Sequence, residues 1–462
     1  MRIKIPPIDI PEDNPFAEDQ LDRKQSAEVL TQFISTIREP FVLAIDSPWG
    51  TGKTTFINMW LRSLKKEGVP CLYFNAWEND FTDDPLVSFI GEMKACLDTV
   101  GEASQAKVYY ENAKKLGASI VKRAIPVTIK IVTAGVVNLE ELSEEALADF
   151  DSGLAKEKID RYEADKSTIK DFKKELSKFV QQITKKEGDE NKPLVFFIDE
   201  LDRCRPTYAV ELLERLKHLF NIEGIVFVLA LDKEQIGHSL RSIYGNGMNV
   251  DGYLRRFIDV DYRLPETPTE GFCNLLFTKF GFPSYFGNRS VRDARYEKDQ
   301  LIKTFSRLAT IFGFSLRKQE QCFSQLSVVL RTTLPNDNLY PLFLSFLIAF
   351  KAANPKLYIA FTTGKTTAED VLNYIKETKG GTELLEDNYG RALEAYIVSS
   401  RASYDEMQEL VSKYTPKLIP PNQQEERPRR IRELLQSFLH EDTYGILDYL
   451  VKKIEISDQF KA

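Results

Sequence analysis

The chain has 462 residues, 43% hydrophobic and 28% charged, with a formal net charge of -7. Those values suit a folded protein of two or three domains and exclude disorder on a large scale. The negative balance supplies no overall pull toward nucleic acid, and five scattered cysteines without CxxC spacing point to reduced packing residues.

From the first residue, Met1-Arg-Ile-Lys-Ile-Pro-Pro7 lacks the apolar core of a signal peptide, so the expected location is the cytoplasm. Asp13-Asn-Pro-Phe16 and Leu21-Asp-Arg23 lead into a predicted helix, and the apolar run Phe41 to Ile45 predicts the first strand. Directly after it stands Ser47-Pro-Trp-Gly-Thr-Gly-Lys-Thr54, followed by an amphipathic segment. A strand, a glycine-rich turn and a helix start converge backbone N–H groups and a helix N-terminus on one point, an arrangement that suits a polyphosphate.

In this reading Gly50 and Gly52 let the backbone wrap around phosphate oxygens, with Trp49, Thr51 and Thr55 completing the loop. Lys53 reaches the β and γ phosphates, and Thr54 offers its hydroxyl to Mg2+. Ser47 stands where a glycine is usual, so the loop must begin in a conformation open to other residues. The similar string Gly364-Lys-Thr-Thr367 follows no apolar strand and reads as a loop that starts a helix.

Cys71 to Phe74 predicts a second strand, ending in Phe74-Asn-Ala-Trp77, which reads either as a strand-end packing cluster or as part of the site. The insertion that follows, residues 96–190, contains Ala118 to Val137, where Lys122, Arg123 and Lys130 interrupt an apolar stretch too short of uncharged residues to span a membrane. Within it Ile169, Phe172, Leu176, Phe179 and Ile183 mark one apolar seam of a helix, and Gly188 to Lys192 reads as a turn into the next strand.

Leu194 to Ile198 is a continuous apolar run, as in a parallel strand buried on both faces, and it ends in Asp199-Glu200. That is a Walker B pattern: Asp199 is expected in the Mg2+ shell, and Glu200 is expected to polarise the attacking water. Asp202 and Arg203 follow, either as a local ion pair, as a pair facing a neighbouring subunit or as a plain surface pair. Ile225 to Leu231 and Ile258 to Tyr262 complete five predicted strands with helices between them, which argues right-handed βαβ crossovers and a mostly parallel sheet.

Taken together, Pro48-Trp-Gly-Thr-Gly-Lys-Thr-Thr55, Phe74-Asn-Ala-Trp77, Ile198-Asp-Glu-Leu-Asp-Arg-Cys204, Leu229-Ala-Leu-Asp232 and Tyr253-Leu254 with Ile258 resemble the KAP family of P-loop NTPases, over roughly residues 10–330. The resemblance implies an α/β P-loop NTPase of the additional-strand class, with a helical insertion between Walker A and Walker B and a helical C-terminal domain. It implies ATP and Mg2+ as ligands. Family members usually carry a second Asp where Glu200 stands. By the same resemblance Asp232 occupies the sensor 1 position, and Arg317 resembles a sensor 2 arginine reporting the nucleotide to a lid. Arg255 and Arg256 lie where related ATPases present an arginine finger to the next subunit, or they form a basic helix end facing its own dipole.

Many KAP proteins insert membrane-spanning helices between the two Walker motifs, and this chain resembles a soluble bacterial-type member with peripheral membrane contact not expected. Several relatives act in defence against phage and plasmids. The expected function is therefore an ATP-driven switch or motor in such defence, acting as a homo-oligomer with an effector on another chain. The alternative is a membrane-associated or signalling scaffold that binds nucleotide with little turnover.

The remaining expectations concern the C-terminal half. Past Pro265-Glu-Thr-Pro268 the pattern is helical, with helices across Leu301 to Leu330, Pro341 to Ala352 and Ala368 to Lys379. Leu418 to Arg430 reads as a linker, with Arg427, Arg429 and Arg430 in a solvated basic turn or on a phosphate, before helices at Ile431 to Leu439 and Tyr444 to Ile454. The expected divisions are 1–95 and 191–265 for the NTPase core, 96–190 for the insertion, 266–418 for a lid and 419–462 for the C-terminal helices. The histidines, His218, His238 and His440, sit apart and suggest no metal site.

Overall fold

A computed structural model describes the chain except for residues 5–7, 83, 100–104, 124–152, 186–191, 266–268, 290–293, 335–336, 415–425, 442 and 460–462. Two compact units result, one spanning Ile8–Pro265 and the other combining Met1–Pro7 with Glu266–Ala462.

The first unit is built on five parallel strands, β1 (Phe41–Asp46), β2 (Cys71–Asn75), β3 (Leu194–Asp199), β4 (Ile225–Leu231) and β5 (Val260–Arg263), in the order β2-β3-β4-β1-β5. β4 therefore separates the strand before the glycine-rich loop from the strand carrying Asp199, which is the additional-strand arrangement. Runs such as Leu194-Val-Phe-Phe-Ile198 are apolar throughout because both faces are covered. Val195 and Phe197 face one cluster with Phe56 and Trp60 of the Lys53–Lys66 helix. Phe196 and Ile198 face the other, with Phe89, Phe172 and Phe220.

The insertion supplies much of that second cover. Its helices Gln105–Lys122 and Gly153–Thr184 pack on each other; of the expected seam Phe172, Leu176, Phe179 and Ile183 are buried and Ile169 is partly buried, and Val180 joins them. Phe89 sits 4.9 Å from Phe196 and 5.1 Å from Phe220, and Phe220 meets Phe172 edge-on at 6.0 Å, so one aromatic chain runs from the sheet into the insertion. Of the interrupted apolar stretch, residues 124–137 lie outside the described residues, as does most of the expected turn at 188–192. Among the described residues no helix is long and apolar enough to cross a membrane.

The second unit is helical among its described residues. The helix expected across Leu301 to Leu330 is two, Ala294–Ile311 and Leu316–Arg331, divided at Gly313, whose φ of 62° is left-handed, and restarted by Ser315, whose hydroxyl accepts from Lys318 N. The string Gly364 to Thr367 precedes the helix Ala368–Glu377, for which Thr367 and Asp370 form a capping box. Of the expected linker, residues 418–425 lie outside the described residues, and the rest is helical. Arg427, Arg429 and Arg430 belong to the helix Glu426–His440, and Arg427 is not in a solvated turn: its guanidinium pairs with Glu386 at 2.8 Å and with Glu394. These carboxylates compensate the basic cluster and let the helix begin before Ile431.

Candidate nucleotide-binding and hydrolysis site

The carboxyl ends of β1, β3 and β4 bring the candidate residues together. Gly50 and Gly52 have φ of 79° and 86°, the left-handed conformation that glycine adopts without penalty, and Gly52 opens the Lys53–Lys66 helix. Ser47 is absent from the left-handed region, which answers why a serine is tolerated there. Its hydroxyl donates to Thr51 Oγ1 at 2.7 Å, and Thr51 Oγ1 donates to Pro48 O at 2.8 Å, so side chains close the loop where a first glycine is missing.

Lys53 is buried, and its ammonium rests on Ser47 O and, at 3.3 Å, on Pro48 O. Burial pulls its pKa down, while the carboxylates of Asp202, Asp232, Asp199 and Asp46 oppose that shift. An ammonium ringed by four acids and held only by carbonyl oxygens is suited to exchange those oxygens for a phosphate's. Thr54 and Thr55 follow on the first turn of the helix, and the Thr54 hydroxyl is among the groups that favour the charged form of Asp199.

Asp199 ends β3 almost fully buried; burial pushes its pKa up to about 6, against the hydrogen bonds from Thr54, Glu200 N and Tyr73. Tyr73 Oη donates to Asp199 Oδ2 at 3.2 Å and Glu200 N to Asp199 Oδ1 at 2.9 Å. A buried carboxylate with a hydroxyl beside it and no cationic side chain bonded to it is a donor set that fits a hard divalent cation such as Mg2+. Glu200 has a φ of 60°, in the left-handed region that few non-glycine residues occupy, and strain of that kind gathers at functional sites.

Asp232 directly follows β4 and performs two tasks. Its Oδ1 accepts from Glu234 N and Gln235 N, capping the helix Lys233–Tyr244, and its Oδ2 accepts from Trp49 N at 3.2 Å. Arg255 and Arg256 lie exposed after the short helix Val250–Leu254; the Arg256 guanidinium stands 5.8 Å from the Tyr253 ring centroid, and Lys217 Nζ donates to Arg256 O at 2.5 Å. Arg317 belongs to the second unit, in the first turn of Leu316–Arg331.

Of the alternatives open to Asp202 and Arg203, an ion pair between the two does not form. The single 3-10 turn Leu201–Arg203 sets residue 203 over residue 200, and Arg203 Nη1 pairs with Glu200 Oε1 at 2.8 Å. Asp202 turns inward and accepts from Trp49 Nε1 and from Asp232 N. Tyr73 is a site residue that the sequence did not single out, and Asn75 takes the site reading of its motif: the register pairs Asn75 with Asp199, and Asn75 Nδ2 donates to Glu200 Oε2 at 3.2 Å. The signal was a polar residue at the carboxyl end of a parallel strand, where ligands of such sheets bind. Phe74, by contrast, packs in the core against Phe89, and the Phe74 to Trp77 segment divides between the two readings.

A parallel sheet with an added strand between a phosphate-cradling loop and a paired Asp-Glu defines a P-loop NTPase. The model for the KAP family P-loop domain matches residues 23–333. The chain belongs to the KAP family. It is also similar to an uncharacterized protein of Methanocaldococcus jannaschii, 29% identical over 178 residues that make up 36% of this chain and 91% of the relative. Among solved structures, the ADPNP-ADP complexes of the Aeropyrum pernix ORC2 protein are 15% identical, with a TM-score of 0.31 over 91% of this chain and 95% of that one. C. elegans PCH-2 is 12% identical, with a TM-score of 0.27 over 72% and 66%.

Proposed function

We propose that this KAP protein binds ATP with Mg2+ and hydrolyses it slowly, as a switch or local motor. The observation that carries the reading is the pair of bonds that Asp202 Oδ2 accepts from Trp49 Nε1 and Asp232 N, which joins the glycine-rich loop to the turn after Asp199-Glu200, where a metal and the phosphates would meet. Gly50, Gly52 and Lys53 would hold the phosphates, Thr54 and Asp199 the metal, and Glu200 the attacking water. Bound Mg2+ would supply charge neutralisation between the phosphate oxygens. Arg255 or Arg256 would act on a neighbouring copy's nucleotide, Arg317 would read the nucleotide for the second unit, and Asp232 would hold Trp49 and the loop beside the terminal phosphate.

The setting we propose is bacterial defence against phage or plasmids, in a homo-oligomer with an effector on another chain. Its support is the behaviour of related KAP proteins. The biochemical test is phosphate release from ATP and from GTP, with Mg2+ or with EDTA, by the wild type and Lys53→Ala. Release from ATP that needs both Mg2+ and Lys53 is expected; equal release by Lys53→Ala would remove the site assignment. For the setting, cells carrying the wild-type gene and its native neighbours should plate phage less efficiently than cells carrying Lys53→Ala, and equal plaque counts across a broad phage panel would overturn it.

A further inference from the structure

The catalytic carboxylate proposed above does not stand open. Glu200 Oε1 is paired with the Arg203 guanidinium at 2.8 Å and Oε2 accepts from Asn75 at 3.2 Å, so both oxygens already have protein donors. A carboxylate that polarises water must accept a hydrogen bond from that water, in a direction set by the γ-phosphate. An oxygen whose lone pair is directed at a guanidinium is turned away from that task.

Residue 77 lies behind both donors. The Trp77 ring centroid is 5.6 Å from the Arg203 guanidinium carbon, and Trp77 N donates to Asn75 Oδ1 at 3.1 Å. The indole is 53% exposed, so the stack lies at the surface while the pair it supports is only partly exposed, at 28% for Arg203 and 14% for Glu200. The segment is itself anchored, because Arg205 binds Asp80 through its backbone N at 2.7 Å and its Nε at 2.8 Å.

We propose that Arg203 is a positioning residue that holds Glu200 in a resting geometry, and that Trp77, stacked on the guanidinium, sets how firmly it does so. This rests on the ATPase reading. Releasing Glu200 raises the rate of water attack without altering how the nucleotide is held, because Arg203 touches none of the residues of the phosphate loop that the hydrogen bonds connect.

The test is steady-state ATP hydrolysis by the full chain. Arg203→Ala is expected to raise kcat about three- to fivefold, the scale of a partly exposed ion pair, with KM unchanged. Trp77→Ala should raise it less, Arg203→Lys should return it toward the wild-type value, and Glu200→Gln combined with Arg203→Ala should abolish it. A kcat at or below the wild-type value in both Arg203→Ala and Trp77→Ala, with wild-type ATP binding, overturns the proposal and leaves the ATPase reading intact. Wild-type protein that releases no more phosphate than Lys53→Ala overturns the ATPase reading, and the resting geometry with it.

Discussion

The indole Nε1 of Trp49 donates to Asp202 Oδ2 at 2.5 Å, fastening the phosphate loop to the turn after β3. The same oxygen accepts from Asp232 N at 3.1 Å, so one buried carboxylate ties together the ends of three strands. Asp202→Ala removes both bonds and strands a buried N–H, at a cost of about 1–3 kcal/mol. ATP affinity is expected to weaken by about tenfold, the equivalent of 1.4 kcal/mol. Calorimetric titration of both proteins measures it, and an unchanged Kd would show that the loop holds its shape without Asp202.

Glu200→Gln preserves the shape of the side chain and removes its charge. Nucleotide binding should persist while turnover falls by roughly 10^2-fold or more, the range for a positioned general base. Protein freed of unbound nucleotide on a desalting column would then retain ATP, where the wild type retains ADP. Wild-type turnover in the variant would place water activation elsewhere.

For the arginines after Val250–Leu254, the expectation is a role in a neighbour's site. Arg255→Ala or Arg256→Ala should leave ATP binding near the wild-type value and reduce hydrolysis by about 10^3-fold. Mixing either variant with Glu200→Gln should restore part of the activity, since each supplies what the other lacks. Light scattering that reports a monomer with ATP, together with normal hydrolysis in both variants, would assign them to the surface alone.

Asp84 accepts from Leu86 N at the start of the helix Pro85–Met93, and its Oδ2 receives the Arg215 guanidinium at 2.6 Å with both side chains largely buried. Asp84→Ala removes a helix cap and leaves Arg215 Nη2 with Glu211 alone, a loss expected to cost about 3–5 kcal/mol. Urea unfolding followed by fluorescence should show that shift. A change under about 1 kcal/mol would mean that Glu211 takes over the charge.

Burial pushes the Cys96 and Cys322 thiols up from 9.0 to about 12 and raises those of Cys71, Cys204 and Cys273 as well. The folded chain keeps these protons where the unfolded chain loses them. Stability is therefore whole below 9.0 and declines as pH rises from there toward about 12. Native protein at pH 8 should resist alkylation by iodoacetamide and take up five equivalents once unfolded. Replacing Cys96 and Cys322 by Ala should lessen the fall in melting temperature between pH 8 and pH 10.5. Rapid labelling of either thiol in the native protein would contradict its burial.

Much of the nucleotide site could be read from residue order alone, because its parts are local: an apolar strand ending in a glycine turn, and another ending in two acids. What could not be read is lateral. Tyr73 and Asn75 reach Asp199 and Glu200 only because β2 and β3 lie side by side, a pairing that no spacing within either segment reveals. Asp202 was legible as an acid but not as a buried one, since its partners come from β4 and from the phosphate loop. The break at Gly313 and the early start of Glu426–His440 escaped for a related reason: a single left-handed glycine decides the first, and ion pairs from distant carboxylates decide the second.

The aromatic chain that runs from Phe196 through Phe89 and Phe220 to Phe172 determines how the insertion can be treated. Helices 105–122 and 153–184 interrupt the NTPase core in sequence, yet their rings and those of the sheet share one interior. Excising them would not return a smaller NTPase domain. It would bare the apolar face of β3 and β4 to water, and the truncated chain would aggregate instead of folding. The insertion and the sheet are thus expected to melt as one cooperative body, so that a signal loosening the helices would be felt at the strand that carries Asp199.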